Sequence, residues 1–198
     1  MKITAKMVGD LRSRTGAGMM DCKKALTETN GDVDLAIQLL REKGLKASEL
    51  KSSRQASEGT ITSYIHPGSR VGVLVEINCE TDFVARTDEF QELAKNIAMQ
   101  IAASKPTYLD RESVPADVVE SEKSILKQQD DIQGKPEQII EKIVEGRIDK
   151  FFAEVCLIEQ SYIKDNDKTI AEIVKEAVAK LGENIVVNRF SLFVLGQT

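Results

Sequence analysis

Three residues of the sequence could together carry out nucleophilic chemistry. Cys79 could act as a thiol nucleophile, His66 as its general base and Asp82 as the acid that orients the imidazole. Cys79 follows an apolar run typical of a buried strand, residues 71–77, whereas His66 lies in the turn before that run begins. The strand would hold the two side chains far apart. The sequence therefore favours a small, semi-buried structural role for Cys79 and predicts no enzyme.

The same strand leads into a polar loop, residues 78–82, which ends at a large aromatic side chain, Phe83. Loops at strand-to-helix junctions often carry functional side chains. In one interpretation Phe83 and Val84 are core residues at the start of the next helix. Thr81 or Asp82 would then cap that helix. The residues alone favour this interpretation, because an apolar side chain is more often buried than displayed.

In a second interpretation Asp82 and Phe83 project from the loop together. Asp82 would present a hydrogen-bond acceptor to a partner, and Phe83 would present a rigid apolar side chain. Aromatic residues often anchor protein interfaces in this way.

Met19 and Met20 follow a turn that contains two glycines, at residues 15–18. Two adjacent residues of a helix cannot both face the same core. One interpretation therefore places one methionine in the core and the other at its rim. In the other interpretation the exposed methionine grips a partner, for which a flexible side chain is well suited. The residue types leave these alternatives open.

Helical spacing and capping residues predict three short helices within residues 4–43. Thr4 and Asp32 are expected to cap the first and the third. So small a module buries little surface, which suits docking better than catalysis. Residues 44–58 are rich in Lys, Ser, Glu and Ala and are predicted to form a linker that is helical in part.

Apolar alternation predicts a β-hairpin at residues 59–78 and a third strand at residues 185–195. Apolar stripes at helical spacing predict a helical hairpin of about residues 116–155 and a helix over residues 170–181. The segment 157–165 is interpreted as a loop. The expected fold is α+β, with a three-stranded antiparallel sheet covered by helices.

Composition argues against several classes of function. The chain has 27 basic and 32 acidic residues, a formal net charge of −5, which does not favour broad binding to nucleic acid. Its three cysteines are widely spaced and it has one histidine, so neither a structural zinc site nor a disulfide framework is expected. It has no P-loop motif, no apolar signal segment and no apolar run of membrane-spanning length. We expect a cytoplasmic protein without a cofactor, metal, nucleic-acid partner or membrane partner.

Two segments resemble the signatures of the bacterial translation elongation factor Ts family. They are residues 11–26, LRSRTGAGMMDCKKAL, and residues 76–86, EINCETDFVAR. Both segments are long, and their order and spacing are typical of the family. The resemblance covers essentially the whole chain.

The resemblance implies a guanine-nucleotide exchange factor that promotes GDP release from elongation factor Tu during protein biosynthesis. It implies that Phe83 inserts into the partner and disturbs the partner's Mg²⁺ and phosphate site, so it favours a projecting Phe83. The partner-binding residues that it implies are Arg12, Met19, Met20, Thr81, Asp82, Phe83 and Val84. The chain itself would act on the partner's GDP and Mg²⁺ and hold no cofactor.

Resemblance and helix pattern together divide the chain into three parts. Residues 1–43 would form a three-helix GTPase-docking module similar to ubiquitin-associated domains, residues 44–58 a linker, and residues 59–198 an α+β core and dimerisation domain. The length resembles the short form of the family, for which a homodimer is expected. The alternative function is a non-catalytic interaction scaffold whose three-helix module binds peptides.

Overall fold

The computed structural model describes residues 3–197, except for the side chains of residues 45–49. The elements, in chain order, are α1 (Ala5–Thr15), α2 (Met19–Glu28), α3 (Val33–Lys51), β1 (Glu58–Ile65), β2 (Val71–Cys79), α4 (Asp82–Ala85), α5 (Asp88–Ser104), α6 (Ala116–Lys127), α7 (Glu137–Val155), β3 (Ser161–Tyr162), β4 (Asp165–Thr169), α8 (Ile170–Leu181) and β5 (Ile185–Val194). The predicted α+β class is confirmed.

The chain contacts divide into two compact units. One contains the residues up to Thr62 together with Val75–Lys95 and Glu172–Asn188. The other contains Ser63–Leu74, Asn96–Ala171 and the residues from Arg189 onward.

The N-terminal helices begin at the residues that the local sequence predicted. Thr4 Oγ1 accepts a hydrogen bond from the N–H of Met7 at 3.3 Å. Asp32 Oδ1 accepts from the N–H groups of Asp34 and Leu35, each at 3.0 Å. These bonds satisfy amide groups that the first turn of a helix leaves unpaired. The buried core of this module consists of Val8, Leu11, Cys22, Ala25, Leu26 and Ala36.

Helix α3 runs beyond residue 43, where the third helix was expected to end, and stops at Lys51. Leu, Lys, Ala and Glu predominate in this stretch and are good helix formers, so a polar composition did not end the helix. Helix α3 contacts α8 within the same compact unit. Arg41 pairs with Glu172 at 3.3 Å, and a Cβ at Gly44 would lie 3.2 Å from that of Ala179. The division into module, linker and core stays a prediction.

The predicted three-stranded sheet has the order β1-β2-β5. The hairpin closes with a bond from the N–H of His66 to the carbonyl of Val71 at 2.9 Å. Gly59, with φ 143°, lets β1 approach β2, because a Cβ there would lie 2.1 Å from the carbonyl oxygen of Ile77. Alternate side chains of β2 are buried; they are Val73, Val75, Ile77 and Cys79.

Helices α6 and α7 form the predicted helical hairpin around a separate apolar core. That core consists of Val114, Leu126, Ile132, Val144, Ile148, Phe152 and Cys156.

A two-stranded antiparallel ribbon, β3 with β4, lies partly in the segment that we interpreted as a loop. Its start is held by the buried side chain of Gln100. The Gln100 Oε1 accepts from the N–H of Ile163 at 2.9 Å, and its Nε2 donates to the carbonyl of Ser161 at 3.1 Å. A buried glutamine on a distant helix supplies these bonds, so local sequence patterns did not predict the ribbon.

Candidate partner-binding site

The candidate site is the one-turn helix α4 and the loop before it. Thr81 caps the helix, since its Oγ1 accepts from the N–H of Val84 at 3.4 Å. Ala85 is buried beneath the turn and Val84 is half-buried, but the side chain of Phe83 is 80% exposed. The interpretation of Phe83 as a core residue is therefore wrong, although the cap that came with it is present.

The loop is bonded to a carboxylate that follows α8. Glu183 Oε2 accepts from the N–H groups of Glu80 and Thr81, at 3.1 and 3.0 Å. Thr81 Oγ1 donates to Glu183 Oε1 at 2.6 Å. Hydrogen bonds to a charged acceptor are stronger than neutral ones. The loop just before Phe83 is therefore held by three such bonds, two from its backbone and one from the Thr81 hydroxyl.

The carboxylate of Glu80 in turn bonds to the backbone that follows α8. Glu80 Oε1 accepts from the N–H of Asn184 at 2.7 Å. Asn184, which is buried, donates from Nδ2 to the carbonyl groups of Arg54 at 2.7 Å and Ser52 at 3.4 Å. The guanidinium of Arg54 lies 3.6 Å from Glu80. The loop is thus tied both to the end of α8 and to the segment that follows α3.

Cys79 lies beneath the loop and bonds to its backbone. Its Sγ is buried and donates to the carbonyl of Thr81 at 3.1 Å. Burial raises the pKa of this thiol, and the negative charge of Glu183 raises the pKa further. The ring of His66 bonds to Tyr64 instead, with Nδ1 3.1 Å from the hydroxyl. The structure contradicts the hypothesis that Cys79 is an activated nucleophile.

The carboxylate of Asp82 already has a partner in the residue that follows its helix. Its carboxylate pairs with Arg86 at 2.8 Å, and both side chains are well exposed. An exposed pair of this kind is worth only about 0.3–0.5 kcal/mol. A donor from a partner could therefore replace Arg86 at little cost.

Met19 and Met20 are both exposed, by 46% and 63% respectively. The interpretation that places one of them in the core is wrong, because Cys22 and Leu26 of the same helix fill that position. Arg12 is exposed too, and it pairs with no acidic residue in the part of the chain that the structure describes.

The turn between α1 and α2 brings these three residues to one end of the N-terminal module. Gly16 takes a left-handed conformation, φ 68°, and its N–H bonds to the carbonyl of Arg12 at 2.7 Å. A Cβ at Gly16 would lie 3.5 Å from the Cδ of Lys180 in α8. The structure thus places the turn against the helix whose end also holds the loop of Phe83.

Sequence reasoning missed the two residues that fasten the loop, Glu183 and Asn184. A weak signal was present, since Gly182 ends α8 and these two polar residues precede an apolar strand. Nothing local pairs Glu183 with Thr81, because the two are 102 residues apart in the chain.

No helix among residues 3–197 is long and apolar enough to cross a membrane. Among the side chains that the structure describes, no cluster of three His, Cys, Asp or Glu could hold a metal ion.

Comparison with known proteins shows the same similarity along nearly the whole chain. A family model described as Elongation factor TS matches residues 19–197. A protein named Elongation factor Ts from Syntrophomonas wolfei subsp. wolfei is 60% identical over 98% of this chain and 91% of its own length. A protein of the same name from Herpetosiphon aurantiacus is 58% identical over 99% of both chains. Another, from Geobacter sulfurreducens, is 57% identical over 100% of this chain and 91% of its own.

Proposed function

The chain belongs to the elongation factor Ts family, and we propose that it promotes release of GDP from elongation factor Tu during translation elongation. The observation that carries this proposal is the position of Phe83. A large aromatic side chain is 80% exposed on a helical turn whose preceding backbone is held by Glu183. A rigid, exposed aromatic loses little conformational freedom on binding and is typical of the residues that dominate interfaces.

Nucleotide exchange by such a protein is a matter of differential affinity. A factor that binds the nucleotide-free GTPase more tightly than the GDP-bound form must weaken GDP by the same ratio. An acceleration of release by about a thousandfold corresponds to roughly 4 kcal/mol at the barrier. Interactions formed only when the GDP site is disturbed must supply this difference.

Phe83 supplies part of it by inserting between partner side chains that brace the Mg²⁺ ion. The displacement loosens Mg²⁺ and with it the phosphates of GDP. Asp82 exchanges its weak pair with Arg86 for a donor on the partner and so directs the approach of the aromatic ring. Thr81 and Val84 belong to the contact as neighbours on the same turn.

Arg12, Met19 and Met20 form the second contact, on another side of the GTPase domain. Their exposure supports this role, because flexible methionine side chains adapt to a partner surface. This contact would add to the affinity for the partner rather than loosen its nucleotide. Methionine side chains change conformation to fit a partner surface, whereas an aromatic ring is rigid.

The proposal includes a homodimer in the cytoplasm. Ile65 and Leu74 are exposed on strands of the sheet, and a Cβ at Gly72 would lie 3.1 Å from the Cδ1 of Ile65. Exposed apolar patches of this kind mark interaction sites. Sedimentation equilibrium of the native chain and of Leu74→Glu tests it, with dimers expected for the first and monomers for the second. A monomeric native chain would remove the dimer from the proposal.

Stopped-flow release of a fluorescent GDP from elongation factor Tu tests the exchange function. The native chain should accelerate release strongly, and raising free Mg²⁺ should reduce the acceleration. No acceleration by the native chain would overturn the exchange function. Binding without acceleration would leave the alternative, an interaction scaffold with a peptide-binding module.

A further inference from the structure

We infer that Glu80 and Glu183 form a reciprocal clamp that sets the position of Phe83 for exchange. Both are positioning residues that act through the backbone of the loop. They are distinct from the residues that the family resemblance places at the partner.

The geometry of the clamp is reciprocal. The carboxylate of Glu183 accepts from the N–H groups of Glu80 and Thr81, while the carboxylate of Glu80 accepts from the N–H of Asn184. Each carboxylate therefore bonds to backbone beside the other. Two segments about a hundred residues apart in the chain are therefore joined by hydrogen bonds from each to the other. These bonds fix both the distance between the segments and their alignment.

The clamp continues through Thr81 into the turn that carries Phe83. The Thr81 hydroxyl donates to Glu183 at 2.6 Å and accepts from the N–H of Val84 at 3.4 Å. Phe83 lies between the two bonded residues. A helix of one turn is unstable by itself, so the direction of α4 depends on the groups that fasten its first residues.

Packing of the exposed Phe83 ring does not fix the orientation of the turn. With 80% of its surface exposed, Phe83 has little packing that would restrain the turn. Its neighbour Ala85 is buried and restrains only the far side of the turn. The hydrogen bonds at Glu80 and Thr81 are therefore the restraints closest to the ring on its N-terminal side.

Charge balance shows why the arrangement is specific. Both carboxylates are compensated by the backbone N–H groups from which they accept, and Glu80 is compensated also by the guanidinium of Arg54 at 3.6 Å. The site is thus built for acceptors at both positions, which makes conservative and disruptive substitutions distinguishable.

Glu183→Ala removes all three bonds to the loop, whereas Glu183→Gln can keep them. The amide oxygen of glutamine can accept from both backbone N–H groups, and its NH₂ can donate to the Thr81 hydroxyl. We expect Glu183→Ala to lower the maximal rate of GDP release about tenfold, since small misplacement of a reacting or inserting group is costly. Glu183→Gln should stay within about twofold of the native rate, since only charge assistance is lost.

The double variant separates positioning from general stability. If Glu183 acts through Phe83, Glu183→Ala should have no further effect on the rate once Phe83 is alanine. A loss of the same factor in both backgrounds would overturn the inference, because a structural defect does not depend on the aromatic ring. The half-saturating concentration of the chain should change little in the single variant, since Arg12, Met19 and Met20 still bind.

Glu80→Ala provides a second route that leaves Glu183 intact. It removes the bond to Asn184 and should lower the maximal rate by about threefold, again only when Phe83 is present. If Glu183→Ala unfolds below the assay temperature, the rate of Glu80→Ala tests the clamp instead. Glu120→Ala is the matched control, because that carboxylate pairs with Lys123 on the surface of α6.

Because the inference rests on the exchange function proposed above, the native chain is assayed first with fluorescent GDP. No acceleration by the native chain would remove the proposed function itself. Acceleration by the native chain that Phe83→Ala reduces, with Glu183→Ala and Glu80→Ala both at the native rate, would overturn the clamp alone.

Discussion

Phe83 and the Met19–Met20 pair both present apolar side chains to solvent, but the molecule supports them differently. Phe83 lies on a four-residue helix fastened by carboxylates distant in sequence. The methionines begin a ten-residue helix whose packing is provided by its own module. A side chain that displaces groups of the partner needs a rigid backbone beneath it. A side chain that only contributes binding affinity can be flexible.

A buried cysteine underlies each of the two turns, and this common feature sharpens the comparison. Cys79 Sγ donates to the carbonyl of Thr81 at 3.1 Å, and Cys22 Sγ donates to the carbonyl of Ala17 at 3.7 Å. The first bond is the shorter of the two and lies beside the carboxylate of Glu183, whereas the second has an ordinary length for a sulfur donor. The backbone near Phe83 is held in addition by the carboxylate of Glu183.

The largest effect is expected for Phe83→Ala. The maximal rate of GDP release should fall about a hundredfold, because interface aromatics of this kind are worth roughly 2–4 kcal/mol and 1.36 kcal/mol is tenfold in rate. Affinity for the GDP-bound form of elongation factor Tu should fall much less, because Phe83 inserts only when the nucleotide site is disturbed. Stopped-flow release over a range of chain concentrations separates the two quantities.

Phe193→Ala is the control for that experiment, since this aromatic side chain is also 66% exposed. It should leave the maximal rate unchanged. A Phe83→Ala rate within about twofold of native would contradict the wedge, because a hot-spot residue costs far more.

Substitution of both Met19 and Met20 by alanine should act on affinity instead. We expect the dissociation constant for nucleotide-free elongation factor Tu to rise about thirtyfold, with the maximal exchange rate retained, because the two side chains contribute about 1 kcal/mol of apolar contact each. Titration calorimetry measures the constant. Leu50→Ala, at a side chain 79% exposed on α3, is the control. A fall in the maximal rate instead would erase the distinction between the two regions.

Arg12→Ala should have a smaller effect, on association. An exposed guanidinium steers encounter with an acidic surface, so the association rate should fall about threefold at low salt and less at high salt. Stopped-flow binding at two ionic strengths measures this. A loss that is independent of salt would assign Arg12 a contact rather than a steering role.

The smallest effect concerns the cysteines under the two turns. Alkylation followed by peptide mass spectrometry should show Cys79 reacting more slowly than Cys22 at neutral pH, because a small three-helix core opens locally at lower cost.

The pH dependence of Cys79 alkylation follows from its raised pKa. A thiol whose pKa is higher in the folded state than in the unfolded state stabilises the fold below the unfolded pKa, and that contribution is lost as pH rises through the folded pKa. The alkylation rate of Cys79 should therefore keep rising above pH 9.0, the ordinary value. A rate that levels off below this pH would show that neither burial nor Glu183 acts on the thiol.

Local signals predicted the N-terminal helices well, because each cap lies within three residues of the amide that it satisfies. Thr4 with Met7 and Asp32 with Leu35 are of this kind. The hairpin and the last strand were predicted for a similar reason, since alternation of buried and exposed residues is a property of the strand itself. Helix α3 was underestimated because apolar periodicity was given more weight than helix propensity.

The sequence by itself determined where the two turns lie and which residues follow them. It placed Phe83 directly after a buried strand and Met19 directly after a glycine turn. Only the tertiary structure decided that Phe83 projects and that both methionines are exposed. It also decided that Glu183 holds the loop. Burial and long-range hydrogen bonds depend on which distant segments fold together, and local residue patterns do not encode that pairing.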